Sequence, residues 1–252
     1  MSADRGLHTD IASHDLHHIW VRGIDLTADL MGVRSFTEMT FLLVSSRFPT
    51  DNEKRLLDGV LVSLMEHGLT LSALAARMTY WVDEQSLQSA VAAGLLGAGR
   101  RVLGSMEECG QLLTRMETEA DAGATRREAA ERIVEEYRTT GRHLPGLGHA
   151  IHREGDPRAE RLAVIAEECG LRGPSFTSLQ ELHDAAEAAV GTQLPINATG
   201  AISASLLALG VPWQLHRGFA LISRTVGLVA HIGEEIEHPV TPELRAMLLA
   251  GH

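Results

Sequence analysis

Apolar side chains recur along this chain at helical rather than strand spacing. Leu57, Val60, Leu61, Leu64 and Met65 fall on one face, and Leu87, Ala90, Val91, Gly94, Leu95 and Ala98 on another, the i, i+3, i+4 pattern of helices that bury one stripe. Sustained period-two alternation is absent, so the chain is expected to be all-α. Asp156 followed by Pro157 offers a side-chain acceptor at an N-cap and a proline in the first turn, and Cys169-Gly170 ends that helix, which puts Arg158 in its first turn. Thr177 with Gln180 resembles a capping box opening a helix from Ser178 to Val190, with Gly191 as its C-terminal cap, and a further helix is expected from Gln214 to Glu235.

The 252 residues suffice for one large domain or two lobes sharing a cleft, and 44% hydrophobic with 22% charged residues is an ordinary globular composition. Aromatic content is only 4%, and the many Ala and Gly residues suggest helices that approach closely. A net charge of −11, with the 22 Lys and Arg scattered, excludes a nucleic-acid partner and leaves local arginines to hold any anion. Cys109 and Cys169 have no paired spacing, so neither a disulfide framework nor a zinc site is expected, and a reducing cytoplasm fits. No apolar run reaches the roughly 18 residues of a membrane span, and Asp4, Arg5, Asp10 and Asp15 argue against an apolar leader. The run His14 to His18 (HDLHH) is read as a surface or interface element, since no second cluster of metal ligands accompanies it. Glu117 to Arg142 is the most polar stretch, either a solvated helix pair or a lobe surface that meets a ligand.

Candidate chemistry gathers in Pro145 to Glu160, PGLGHAIHREGDPRAE. Gly146 and Gly148 permit a tight loop just before the His149 imidazole, and Arg153 and Arg158 add forked donors, the second at a helix N-terminus where the dipole also favours an anion. Spacing alone leaves open a loop with one satisfied histidine and two surface arginines.

That segment resembles the signature of citrate synthases and their relatives citryl-CoA lyase and the lyase portion of ATP citrate lyase, a PGxGH loop followed by DPR. The similarity extends over RGIDLTADLMGVRSFTEMTFLLVSSRFPT (Arg22 to Thr50), EHGLT (Glu66 to Thr70), SAVAAGLLGAG (Ser89 to Gly99) and LISRTVGLVAHIGEE (Leu221 to Glu235). The resemblance implies a CoA thioester and a polycarboxylate as ligands, with no metal. It implies that His149 bonds the oxygen at the carbon where the bond is made or broken, and that His67 is a second, carboxylate-side histidine. Arg158 and Arg224 would clamp carboxylates, Arg153 would reach a CoA phosphate, and Pro145, Gly146, Leu147 and Gly148 would cradle the adenine. Read without the resemblance, His67 is a satisfied histidine near a helix end and Arg224 snorkels to solvent. The resemblance also implies a homodimer or larger homo-oligomer, with residues 1–106 and 199–252 forming a large helical lobe, 107–198 a smaller lobe, and the site in the cleft between them.

Two positions depart from the citrate synthase pattern. Leu103 in RVLGSMEE stands where synthases carry a histidine that stabilises the thioester enol, a replacement shared with the citryl-CoA lyase branch. Thr199 in INATG stands where the family places a carboxylate that moves the proton on the acetyl carbon. A hydroxyl cannot act as a general base near neutral pH, but it can donate a hydrogen bond to a thioester oxygen. Glu107 and Glu108 are candidates for proton delivery by position. The expected activity is citryl-CoA lyase-like carbon–carbon cleavage; the alternatives are a related acyl-CoA lyase or hydrolase, or a CoA-binding homologue without catalysis.

Overall fold

Side-chain caps open most of the helices. Ser35, Thr50 and Thr125 form complete capping boxes with Glu38, Glu53 and Glu128 and start α1 (Phe36–Ser45), α2 (Asp51–Leu64) and α6 (Arg126–Thr140). Thr70, Asp156 and Asn197 cap α3 (Leu71–Val82), α7 (Pro157–Glu168) and α9 (Ala198–Ala208) by accepting a first-turn N–H. With α4 (Leu87–Gly97), α5 (Ser105–Asp121), α8 (Pro174–Val190), α10 (His216–Glu237) and α11 (Thr241–Ala250), these make eleven α-helices among the described residues. The structure is a computed structural model describing residues 8–99, 103, 105–148 and 155–250.

The helical expectation holds, with one addition and two shifted boundaries. β1 (Ala12–His14), β2 (Ile19–Val21) and β3 (Ile24–Asp25) form a small antiparallel meander, whose strands are too short to leave an alternating signal. The His14 to His18 run makes its first turn: Asp15 Oδ1 accepts the N–H groups of His17 and His18, each at 2.7 Å, and the His18 ring stacks on Trp20. Helix α8 begins at Pro174 behind Gly173, not at Ser178, because proline supplies the first-turn geometry four residues earlier. The Gln180 amide reaches forward to Asp184 at 2.8 Å, so Thr177 and Gln180 lie inside the helix and form no capping box. Helix α10 starts after a 3-10 turn at Trp213–Leu215 and runs two residues beyond Glu235.

Helix α9 occupies the centre. Ala201, Ile202, Ala204 and Leu206 are buried, and even Ser203 and Ser205 are wholly enclosed, the first donating to the Met106 carbonyl of α5 at 2.9 Å. Around α9 the core takes in the predicted α2 stripe (Leu57, Val60, Leu61, Leu64) with side chains of α5 to α8 and Phe219 of α10. A second cluster of Ala76, Ala90, Leu228 and Ile232 joins α3, α4 and α10, where the two alanines allow close helix approach. In the polar stretch 117–142, Arg126 pairs with Glu117 and Arg132 with Glu119 toward solvent, while Ala129, Ile133 and Tyr137 of α6 pack inward. None of the described helices is long and apolar enough to cross a membrane.

Two buried polar groups tie this framework. Arg77 of α3, only 1% exposed, donates from Nε to Glu235 (2.6 Å), from Nη1 to Glu234 (2.6 Å) and from Nη2 to the His238 carbonyl (2.9 Å), while Glu235 also accepts the N–H groups of Val240 and Thr241. This knot fixes α3, the end of α10 and the start of α11. His216, fully enclosed at the start of α10, bonds the Val211 carbonyl through Nε2, and burial pushes its pKa down from 6.5 to about 4. The folded state thus holds the ring neutral while the unfolded chain binds a proton below 6.5. The stability contributed is complete above that pH and is lost as pH falls toward 4, by ~3 kcal/mol on a linkage estimate. Urea midpoints measured from pH 7 to pH 4 are expected to fall through this window, and to fall less steeply in His216→Gln.

Candidate active site

The first turns of α3, α7 and α9 line one cavity of about 220 Å³, with Thr70 and Ser72, Arg158, and Asn197 to Thr199 as their contributions. Unsatisfied N–H groups and the positive dipole end at a helix start both favour an anion. His67 and Arg224 complete the polar wall, Leu103 and Met106 lie on the apolar side, and no Asp or Glu is among the described lining residues. The cavity is therefore electropositive, and none of its described lining residues is a carboxylate base.

Arg224 projects from the middle of α10, is 8% exposed, and makes no hydrogen bond or ion pair with any described residue. Burial lowers its pKa from the ordinary guanidinium value; Glu66 opposes the shift by attraction and Arg158 adds to it by repulsion. A guanidinium remains protonated under such pressure, so an enclosed, unpaired charge persists here at a cost that an incoming anion would offset.

Arg158 is oriented by Asp156, the cap of its own helix. Asp156 Oδ1 and Oδ2 accept the Arg158 fork at 3.1 and 2.9 Å, and Asp156 also receives the N–H groups of Arg158 and Ala198. Burial opposes ionisation of Asp156, but the Arg158 fork and these N–H groups outweigh it and hold the carboxyl down at about 2. One carboxylate thus aligns Arg158 and joins the starts of α7 and α9.

The Pro145 to Gly148 loop docks on the same helix start. Leu147 bridges Ile196, Gly148 N–H donates to Pro195, Asn197 N–H donates to Gly146, and the Asn197 amide donates to the Gly148 carbonyl at 2.8 Å. Gly146 has φ +89°, and a Cβ there would lie 2.6 Å from the Cys109 sulfur of α5 and 3.1 Å from the Gly200 Cα of α9, so a side chain would push the loop off both helices. Leu147 and Gly148 also border a second cavity of about 520 Å³ with Tyr137, Arg142 and His143, where the Arg142 guanidinium lies 4.6 Å over the Tyr137 ring. The carboxyl end of the 117–142 stretch therefore meets a cavity, while the rest of it is a solvated helix pair.

The structure brings His67, Arg158, Thr199 and Arg224 to one cavity and places Pro145 to Gly148 beside it; His149 and Arg153 lie outside the described residues. Neither Glu107 nor Glu108 lines the cavity, and Glu107 is bonded to Arg217, which removes it as a proton donor to this site. Sequence reasoning missed Asn197 and Thr70, both legible as N-caps. It also missed Asp156 as the partner of Arg158, although the carboxylate stands two residues before the arginine.

Comparison with known proteins follows the same line. The citrate synthase C-terminal domain family matches residues 17–242, whereas a search of the curated proteins found no match. Among solved structures, citryl-CoA lyase from Hydrogenobacter thermophilus is 33% identical, with a TM-score of 0.84 over 93% of this chain and 88% of that one. ATP citrate lyase from Methanothrix soehngenii, in complex with citrate and coenzyme A, shares the fold at 19% identity and TM-score 0.76, over 94% of this chain and 40% of that one. Citrate synthase from Pyrobaculum aerophilum does so at 22% identity and TM-score 0.65, over 82% of this chain and 51% of that one. With most of its length covered by the family match and a lyase of that fold at one third identity, this chain belongs to the citrate synthase family.

Proposed function

We propose that this protein is a citryl-CoA lyase that converts citryl-CoA into acetyl-CoA and oxaloacetate. The observation that carries the reading is Arg224, buried and without a partner among the described residues, in a cavity shared with Arg158 and His67 whose described lining includes no carboxylate. A polycarboxylate is strongly solvated, and only charge-assisted forks and helix N-termini offset its desolvation. The 33% identity to a citryl-CoA lyase supports the choice within the family.

In the proposed reaction Arg158, Arg224 and His67 hold carboxylates while His149 takes the hydroxyl proton. The bond between the carbinol carbon and the thioester methylene then breaks. Its electron pair passes into a thioester enolate, and the carbinol becomes the ketone of oxaloacetate. The Thr199 hydroxyl and the α9 N-terminus stabilise the enolate oxygen, and water delivers the proton that completes acetyl-CoA, as no described lining residue is a carboxylate. CoA lies along the Pro145 to Gly148 loop with its adenine toward the Tyr137 and Arg142 cavity, and Arg153 reaches a phosphate. The lobes divide as 1–106 with 199–252 against 107–198. A second copy covers the exposed apolar side chains Leu71, Val82, Leu96 and Val229 of α3, α4 and α10, giving a homodimer. The protein acts in the cytoplasm.

The test is product analysis with citryl-CoA. Acetyl-CoA and oxaloacetate in equal amounts support the proposal, and folded, CoA-binding protein that releases neither rules it out. Thr199 in place of the family carboxylate favours hydrolysis as a second reading, for which free CoA and intact citrate are the products. Thr199→Asp restores a carboxylate at a helix N-terminus and is expected to raise the cleavage rate about tenfold or more, measured as oxaloacetate release.

A further inference from the structure

We propose that Glu66 and His231 form a positioning pair for the carboxylate end of the cavity, an inference that rests on reading the cavity as a polycarboxylate site. Neither residue lines the cavity; both act through His67 and Arg224, which do.

The chain leaves α2 at Leu64 and must turn sharply to present His67 before α3 begins at Leu71. Glu66 closes that turn on itself: its Oε1 accepts the N–H groups of His67 and Gly68, each at 2.7 Å, and Gly68 takes φ +72°. The same oxygen accepts from His231 Nε2 at 3.0 Å, across 165 positions of sequence. His231 is buried on α10, two turns after Arg224, so this bond fastens the His67 turn to the helix that carries the arginine. Gly227, midway between them on α10, makes the contact possible. A Cβ there would lie 2.1 Å from the Met65 carbonyl oxygen and 2.8 Å from Glu66 Oε2, so only glycine lets the turn settle against α10.

The charges agree with the geometry. Burial works against ionisation of Glu66, yet the His231 bond and the two N–H groups prevail and keep its pKa below the ordinary carboxylate value. The ionised carboxylate attracts Arg224 without bonding it, which leaves the guanidinium donors to a ligand. On its other side His231 Nδ1 lies 3.8 Å from Glu234, which Arg77 already engages, so the ring is held between two carboxylates. A turn supported only by its own backbone would let His67 wander relative to Arg224. The pair sets the spacing of the two carboxylate contacts.

His231→Phe keeps the ring and removes the donor; His231→Gln keeps a donor near the position of Nε2. Citrate affinity by calorimetry is expected to fall about tenfold in His231→Phe and to return to within about threefold of wild type in His231→Gln, with CoA affinity unchanged in both. In the ligand-free proteins, the His67 Cε1–Hε1 NMR signal is expected to shift and broaden in the Phe variant only. An unmoved His67 signal in His231→Phe, or parallel losses of citrate and CoA affinity, would overturn the positioning role. Wild-type protein that binds no citrate would instead contradict the functional reading, and the ligand-free NMR comparison would still decide the role of the pair.

Discussion

Arg224→Met is expected to abolish useful recognition of the polycarboxylate while leaving the ligand-free protein at least as stable as wild type. The two effects have one cause. Arg224 is enclosed, faces the like charge of Arg158, and among the described residues has only the non-bonded Glu66 carboxylate to compensate it, so the site without ligand carries a desolvation cost that methionine of similar length does not. With substrate bound, the same charge meets a carboxylate away from water, and its removal strands that carboxylate. Loss of one partner in such a contact corresponds to ~4 kcal/mol, or about 10³ in kcat/KM for citryl-CoA cleavage. Steady-state kinetics and a thermal melt on the same preparation check both halves. A large drop in melting temperature without ligand would show that Arg224 supports the fold instead of serving the site.

The opposite pattern is expected for Arg77→Leu. Arg77 is more deeply buried than Arg224, but all its bonds go to Glu234, Glu235 and the His238 carbonyl, so it has a structural partner for each direction of its fork. Removing it leaves Glu235 charged and enclosed with only the Val240 and Thr241 N–H groups, a loss of ~3–5 kcal/mol and a fall in melting temperature of about 10 °C. Adding Glu235→Leu should restore much of that loss, because an apolar pair of similar volume replaces a buried ion pair at little cost. Differential scanning calorimetry of the single and double variants tests this directly. The two arginines, one on α3 and one on α10, thus separate a charge kept for the fold from a charge kept for a ligand.

The α2 stripe and the Asp156-Pro157 helix start were legible because each rests on local chemistry, a repeating apolar face or a capping acceptor beside a proline. Helix α9 was not. Its AISASLL run shows no polar face, since Ser203 and Ser205 are buried and satisfied by carbonyls, and a helix enclosed on all sides loses the amphipathic signal. The meander at residues 12–25 escaped for the opposite reason, its strands being shorter than the window in which alternation can be read. At the site, the PGLGH and DPR segments carried the recognition of Arg158 and the loop. What the sequence could not express is spacing in three dimensions: Arg224 beside Arg158, Glu66 bonded to His231, and Gly227 opened to the Met65 carbonyl all join residues far apart in the chain.

A crystal of this protein grown with citrate and CoA tests the central claim most directly. A citrate carboxylate within hydrogen-bond distance of Arg224, with Arg158 and His67 on the remaining oxygens and adenine against Pro145 to Gly148, is the expected result. Citrate bound elsewhere, or this cavity empty at saturating citrate, would contradict it.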